Sequence, residues 1–192
     1  LLGVIHTPGL DASDRDNLIN IRDWPLYGMY QPDGIANFRM RGRTYLVTAN
    51  EGDARDYDGY SEESRGGSNN ARALYGDLPE LLDDRQLGRL NLTLSPPNGD
   101  TSQPYTFGAR SFSIWDAGTG ALVWDSGSEL EARTAAALPA NFNSDNAENN
   151  FDNRSDNKGP EPEGVAVGEV AGRTYAFVGL ERIGAVMVYD VS

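Results

Sequence analysis

One twenty-residue stretch occurs twice in this chain. Pro32 to Glu51 reads PDGIANFRMRGRTYLVTANE and Pro162 to Glu181 reads PEGVAVGEVAGRTYAFVGLE, at a constant offset of 130 without a gap (162 − 32 = 181 − 51 = 130). Eight of the twenty positions are identical: Pro32/Pro162, Gly34/Gly164, Ala36/Ala166, Gly42/Gly172, Arg43/Arg173, Thr44/Thr174, Tyr45/Tyr175 and Glu51/Glu181. Each copy is an apolar-rich run, a short turn at Arg41-Gly42-Arg43 or Ala171-Gly172-Arg173, and a β-branched and aromatic run, which is the pattern of a β-hairpin. A duplicated hairpin points to a repeat architecture.

A further hairpin pattern joins Ala109–Trp115 to Ala121–Trp124 through Asp116-Ala117-Gly118-Thr119-Gly120. Its first arm, SFSIWDA at 111–117, is patterned like AVMVYDV at 185–191. The expected strands are therefore 35–40, 44–49, 111–115 and 122–124 in one unit, and 165–170, 174–179 and 185–189 in a second. Repeated four-stranded antiparallel sheets are the blades of a β-propeller. A stacked sandwich uses the same hairpins, but the gapless repeat favours radial repetition. The expected fold is all-β: one partial propeller domain over 1–192, with a blade at 32–125 interrupted by an insertion at 52–105, and a partial blade at 162–192.

Between these units the patterns are weaker. Gly9 to Gln31 and Ser126 to Glu161 read as long loops, and Asp77-Leu78-Pro79-Glu80-Leu81-Leu82 as one short helix in the insertion. Leu87 to Leu94 reads as a strand, with little helix elsewhere. Leu1 to Thr7 reads as the last strand of a preceding unit, its partner outside this sequence. A chain that starts Leu1-Leu2-Gly3 reads as a mature product or a fragment. Fewer than two blades leave sheet edges open, so the expected partners are the remainder of the propeller or other chains of an assembly.

The formal net charge of −13 disfavours a nucleic-acid or anionic-membrane partner and favours cations or basic surfaces. Cysteine is absent and His6 is the lone histidine, which excludes disulfides, thiolate metal sites and His-rich zinc sites. No apolar run approaches the roughly 20 residues that span a bilayer.

In a blade the strand directions alternate, so the long connections 9–31, 52–105 and 126–161 gather on one face and the tight turns on the other. Function is expected on the elaborated face. Asp33 and Glu163 open the first strands of the two repeats and Glu51 and Glu181 close the second strands, with Asn50, Asp53, Asp156 and Glu161 around them. These hard oxygen donors are the candidate metal ligands, suited to Ca²⁺ or to Mg²⁺. The bland reading is that the strand-opening acids accept backbone N–H groups and the loop acids form a solvated face. Asp152 to Asp156 does not spell an EF-hand, because Arg154 stands where a ligand belongs.

No G-x-S-x-G elbow or Cys–His pair is present, so nucleophilic catalysis is disfavoured. A metal-assisted phosphomonoesterase would use Arg55, Arg65, Lys158 or Arg182 against phosphate oxygens, unless those cations simply pair with the surrounding acids. Trp24, Tyr27, Tyr30, Tyr57 and Tyr60 are candidates for an aromatic ligand wall, and Asn91-Leu92-Thr93 and Asn153-Arg154-Ser155 spell glycosylation sequons.

The strings GLDASDRD, YLVTANEGDARDYDGYSEE, FGARSFSIWDAGTGALVWDSG, RSDNKGPEPEGV and FVGLERIGAVMVYDV, running from Gly9 to the last residues, resemble the choice-of-anchor I domain family. That resemblance implies a secreted or surface-anchored bacterial β-propeller related to mesenchyme-specific cell surface glycoproteins, and some relatives carry the label of atypical alkaline phosphatase. It covers the C-terminal part of the family domain. Two function classes are therefore carried forward: an extracellular cation-binding module that presents an acidic loop face, and a cation-dependent phosphomonoesterase.

Overall fold

The computed structural model describes the backbone of residues 4–6 and 9–192 and the side chains from residue 9 onward. In chain order the strands are β1 (Val4–His6), β2 (Tyr27–Met29), β3 (Gly34–Met40), β4 (Arg43–Asn50), β5 (Asp56–Tyr57), β6 (Tyr60–Ser61), β7 (Glu63–Arg65), β8 (Asn91–Thr93), β9 (Tyr105–Phe107), β10 (Ser111–Asp116), β11 (Leu122–Asp125), β12 (Pro162–Val170), β13 (Arg173–Leu180) and β14 (Ala185–Asp190). Two α-helices interrupt them, α1 (Asn69–Tyr75) and α2 (Glu129–Ala137). The chain is predominantly β, as its patterning predicts.

The duplicated stretch forms two hairpins of the same register: Ala36 lies opposite Val47 in one and Ala166 opposite Phe177 in the other. Both turns have two central residues with positive φ, Arg41 (50°) with Gly42 (80°) and Ala171 (51°) with Gly172 (77°). That geometry matches the twist of the flanking strands and favours glycine at the second position, which accounts for the shared glycine. The first hairpin extends into an antiparallel four-stranded sheet of order β11-β10-β4-β3, and the second into a three-stranded sheet of order β12-β13-β14.

The two sheets pack side by side through β3 and β12. At the start of β3 the backbones are so close that a Cβ on Gly34 would lie 2.5 Å from the Glu163 carbonyl oxygen. Between the sheets lies an apolar core of Phe38, Val47, Phe112, Leu130, Ala176, Val178 and Leu180. Phe112 is fully buried against Trp124 and Tyr189, with ring centroids at 5.1 and 4.5 Å, and its truncation to alanine would cost ~3–5 kcal/mol. On the other face of the first sheet, the end around Asn50 is polar yet buried. There Asn50 Nδ2 donates to Ser111 Oγ (3.0 Å) and Ser113 Oγ (2.7 Å), and both hydroxyls donate to Asp125 Oδ2.

The segments outside the two repeat units carry a third sheet. Its order is β1-β2-β9-β8-β7, with β2 and β9 parallel, over a second core that includes Leu10, Trp24, Leu26, Tyr75, Leu81, Leu90 and Phe107. β1 pairs antiparallel with β2, so the first strand has its partner within this sequence, contrary to expectation. The expected strand at 87–94 shortens to Asn91–Thr93, and the expected helix at 77–82 is a single 3₁₀ turn at Pro79–Leu82. The insertion's α-helix is α1, capped by Ser68 Oγ accepting from the Ala71 N–H at 3.1 Å and stopped at Gly76. α2 overturns the expectation of little helix outside the insertion: its inward side presents Leu130, Glu131 and Thr134, a mixed face without an apolar stripe.

Candidate functional site

Strand ends bring the repeat-equivalent carboxylates Glu51 (after β4) and Glu181 (after β13) together with Glu161, the residue preceding β12; one oxygen of each lies within 4.8 Å of the others. Three cations fill the space around them. Lys158 Nζ lies 2.5 Å from Glu51 Oε1 and 3.3 Å from Glu161 Oε2. Arg182 Nε lies 3.1 Å from Glu161 Oε2 and 3.4 Å from Glu181 Oε2. Arg154 holds Glu161 Oε1 through Nη2 and through Nε at 3.0 Å. Three acids face three bases, so the cluster is neutral by itself. Burial alone would raise the carboxyl of the fully buried Glu161, but the Arg154 hydrogen bond and the charges of Arg154, Lys158 and Arg182 outweigh it and hold the group below its ordinary value. Glu51 moves the other way: its burial outweighs the Lys158 contact and raises it.

Two further ion-pair nodes tie the long segments to one another. Asp156 Oδ2 accepts from Arg65 Nη1 (2.8 Å) and Arg89 Nη2 (2.9 Å), and Arg89 Nε also meets Asp14 at 2.7 Å. Arg110, just before β10, donates through Nη1 to Glu131 Oε1 and to the Asp11 carbonyl (both 2.6 Å), and through Nη2 to the carbonyls of Ser155 (2.7 Å) and Asn157 (2.9 Å). Glu131 in turn accepts from the Asp11 N–H (2.9 Å) and Asn143 Nδ2 (2.8 Å). The first loop, α2 and the 143–157 segment thus share one buried charge pair.

Of the candidate ligands, Glu51, Glu161 and Glu181 converge, while Asp156 belongs to the Arg65–Arg89 node. Asp33 and Glu163 are exposed, and Asp53 reaches Lys158 only at 3.9 Å with its side chain 91% exposed. Asn50 faces into the sheet with its amide committed to serines. Among the basic candidates, Arg55 clasps Glu62 through Nε (3.0 Å) and Nη2 (2.6 Å), so Arg55, Arg65, Lys158 and Arg182 are all engaged with carboxylates. The aromatic candidates do not form a wall. Tyr57 and Tyr60 stack on the exposed β5–β6 ribbon, Trp24 is buried, and Tyr30 packs edge-on against Trp115. Asn91 of the first sequon is buried with its amide on Glu63, closed to modification in the folded chain.

One acidic cluster escaped the sequence reading: Asp11, Asp16 and Asp152 also bring one oxygen each within 4.8 Å of the others. Its only trace in the sequence is the aspartate-rich GLDASDRD string, since the third member is 136 residues further on (152 − 16 = 136).

The sequence matches a known family over nearly its whole length. The choice-of-anchor I domain matches residues 2–192. The chain belongs to that family. Among curated proteins, Gigasin-3a of Magallana gigas is 35% identical over 121 residues, covering 59% of this chain and 43% of that protein. The mesenchyme-specific cell surface glycoprotein of Strongylocentrotus purpuratus is 28% identical over 232 residues, covering 100% of this chain and 30% of that protein. This choice-of-anchor I chain thus spans less than half the length of the curated relatives it matches. No solved structure matches it. Among the described residues no helix is long and apolar enough to cross a membrane.

Proposed function

We propose that this choice-of-anchor I chain is a non-catalytic module of the extracellular or cell surface. Its two matched sheets would be neighbouring blades of a propeller, its long segments would form a rigid platform for a partner, and divalent cations would be part of that platform. The blade reading is supported by the equal register of the two hairpins, their shared strand order and their side-by-side packing. Exposed apolar residues such as Val186 (66%), Val188 (56%) and Ile35 (62%) fit further blades or chains covering the outer flanks. The name of the Strongylocentrotus purpuratus relative supports a surface location.

The observation that carries the non-catalytic reading is the commitment of every basic candidate to a carboxylate. Arg182 and Lys158 meet Glu161, Arg55 meets Glu62 and Arg65 meets Asp156, so the charge of each is already balanced by a carboxylate of the chain rather than offered to a phosphoryl oxygen. A phosphomonoesterase that recruited Lys158 and Arg182 would leave buried Glu161 to Arg154 alone, and breaking buried pairs of this kind costs several kcal/mol. The test is turnover of p-nitrophenyl phosphate by the purified chain with Ca²⁺ or Mg²⁺, expected to equal the buffer blank. Cation-dependent turnover abolished by R182M would replace this reading with the enzyme.

A further inference from the structure

Asp11, Asp16 and Asp152 differ from the Glu51–Glu161–Glu181 cluster in what surrounds them. Among the described residues no Lys or Arg forms an ion pair with any of these three aspartates, whereas every member of the glutamate cluster has one. Asp11 is fully buried and Asp152 is 2% exposed, while Asp16 is half-buried at the rim and leaves a route to solvent. Asp152 Oδ1 accepts from Ser155 Oγ at 2.5 Å, but Asp152 Oδ2 is sealed from solvent with no hydrogen-bond partner in the protein. A sealed carboxylate oxygen with no donor is costly unless a cation meets it.

The other contacts are those of a braced ligand set. Asp11 Oδ1 and Oδ2 accept from the N–H groups of Ser13 (3.3 Å) and Asn20 (2.6 Å), and Asp16 accepts from the Leu18 N–H (3.0 Å) and Asn20 Nδ2 (3.1 Å). Ser155 is itself held by Asn143 Nδ2 at 2.8 Å. Each carboxylate oxygen retains a lone pair for coordination after such a bond, and outer-shell donors of this kind fix ligand orientation. One oxygen of each aspartate lies within 4.8 Å of the others, close enough for the three to share one hard cation, and a Ca–O distance of ~2.4 Å asks for less further convergence than the ~2.1 Å of Mg–O.

We propose that Asp11, Asp16 and Asp152 form a Ca²⁺ site that fastens the first long loop to the segment between α2 and β12. The proposal rests on the cation-binding part of the function proposed above and gives it a place outside the repeat-equivalent acids. Burial first, and then the charges of Asp11, Asp16 and Glu131, raise the Asp152 carboxyl to about 8 despite its Ser155 hydrogen bond, the state of a ligand that binds a proton in place of a metal. Asp11 is raised to about 6, again by burial first.

The test is calorimetric titration of the full chain with Ca²⁺ and with Mg²⁺, beside thermal unfolding with chelator or excess Ca²⁺. Ca²⁺ should bind and raise the unfolding temperature, with Mg²⁺ at least tenfold weaker. D16N and D152N should weaken Ca²⁺ binding at least tenfold and lose the thermal shift, while E181Q and E163Q keep both. D152N in chelator should unfold no earlier than the parent chain, because an amide replaces a poorly solvated carboxyl, and D16N at the half-buried rim gives an independent reading. Ca²⁺ binding that survives both substitutions would overturn this site and leave the wider cation reading standing. No heat from either cation up to millimolar concentrations would remove both, without touching the non-catalytic reading, which the turnover assay decides alone.

Discussion

Replacing Glu131 by alanine should be among the most damaging single changes outside the apolar cores. Arg110 is 2% exposed and Glu131 1%, so neither charge has water to fall back on. The substitution removes the Arg110 Nη1 contact at 2.6 Å and strands the Asp11 N–H and one N–H of Asn143 Nδ2, which keeps only Ser155 Oγ. The guanidinium then keeps only three neutral carbonyl acceptors, on Asp11, Ser155 and Asn157. Breaking a buried pair in this way costs ~3–5 kcal/mol. For a chain of 192 residues that corresponds to a fall in unfolding temperature of roughly 6–20 °C. Urea unfolding followed by circular dichroism at pH 7 gives the free energy directly. The double replacement R110M/E131L should recover most of the loss, since apolar side chains of similar volume leave no stranded charge, although the carbonyls that Arg110 served lose their donor. A loss below about 1 kcal/mol for E131A would refute the reasoning: the pair would then be hydrated in solution, and the face would not be held by it.

The raised Asp152 carboxyl makes a pH prediction whose sign is fixed. A folded-state value of about 8, above the ordinary 3.8, means the native chain holds that proton more tightly than the unfolded chain, so this contribution is complete below about pH 4 and disappears as the pH climbs to about 8. In chelator the parent chain should therefore lose stability relative to D152N between pH 5 and pH 8, and a difference that stays flat across that window would contradict it. The glycines separate two mechanisms. G172A, with φ at +77° and open space around its missing Cβ, should cost only the ~1–2 kcal/mol of a left-handed alanine. G34A, whose Cβ would sit 2.5 Å from the Glu163 carbonyl, should cost more by forcing the two sheets apart, and equal losses in a denaturant titration would argue against that close approach.

How much of this could be read from the sequence follows from the range of the interactions involved. The two hairpins were legible because they are local: turn, alternation and partner strand all lie within twenty residues, and duplication marks them twice. β10, β11 and β14 were equally plain from their aromatic and β-branched runs. The third sheet was not, because its strands are three residues or shorter in pattern and pair across the chain, as Tyr27 does with Tyr105. α2 was hidden because Glu131 and Thr134 occupy inward positions that a sequence pattern assigns to solvent, and only the fold's placing of Arg110, Asp11 and Asn143 around it explains the glutamate. At the site, the strand-end glutamates could be placed by the repeat and the pairing of Lys158 and Arg182 with nearby acids was one reading of the sequence, but Arg154 and the particular carboxylate each cation meets could not be read from it. The Asp11–Asp16–Asp152 cluster depends on a fold that brings opposite ends of the chain together.

That closure has a consequence for the order in which the protein is made. The Asp11 N–H finds its acceptor in Glu131, 120 residues later. At a synthesis rate of roughly 5–20 residues per second, ~6–24 s separate the emergence of the two. For that interval Leu10 and Trp24 can settle against the insertion, yet Asp11 and its neighbours stay unfastened, because Glu131 and the 143–157 segment do not yet exist. The first repeat can form as a local hairpin from the start, whereas the buried Arg110–Glu131 pair and the segments it ties together can be completed only once Glu131 and the 143–157 segment are outside the ribosome.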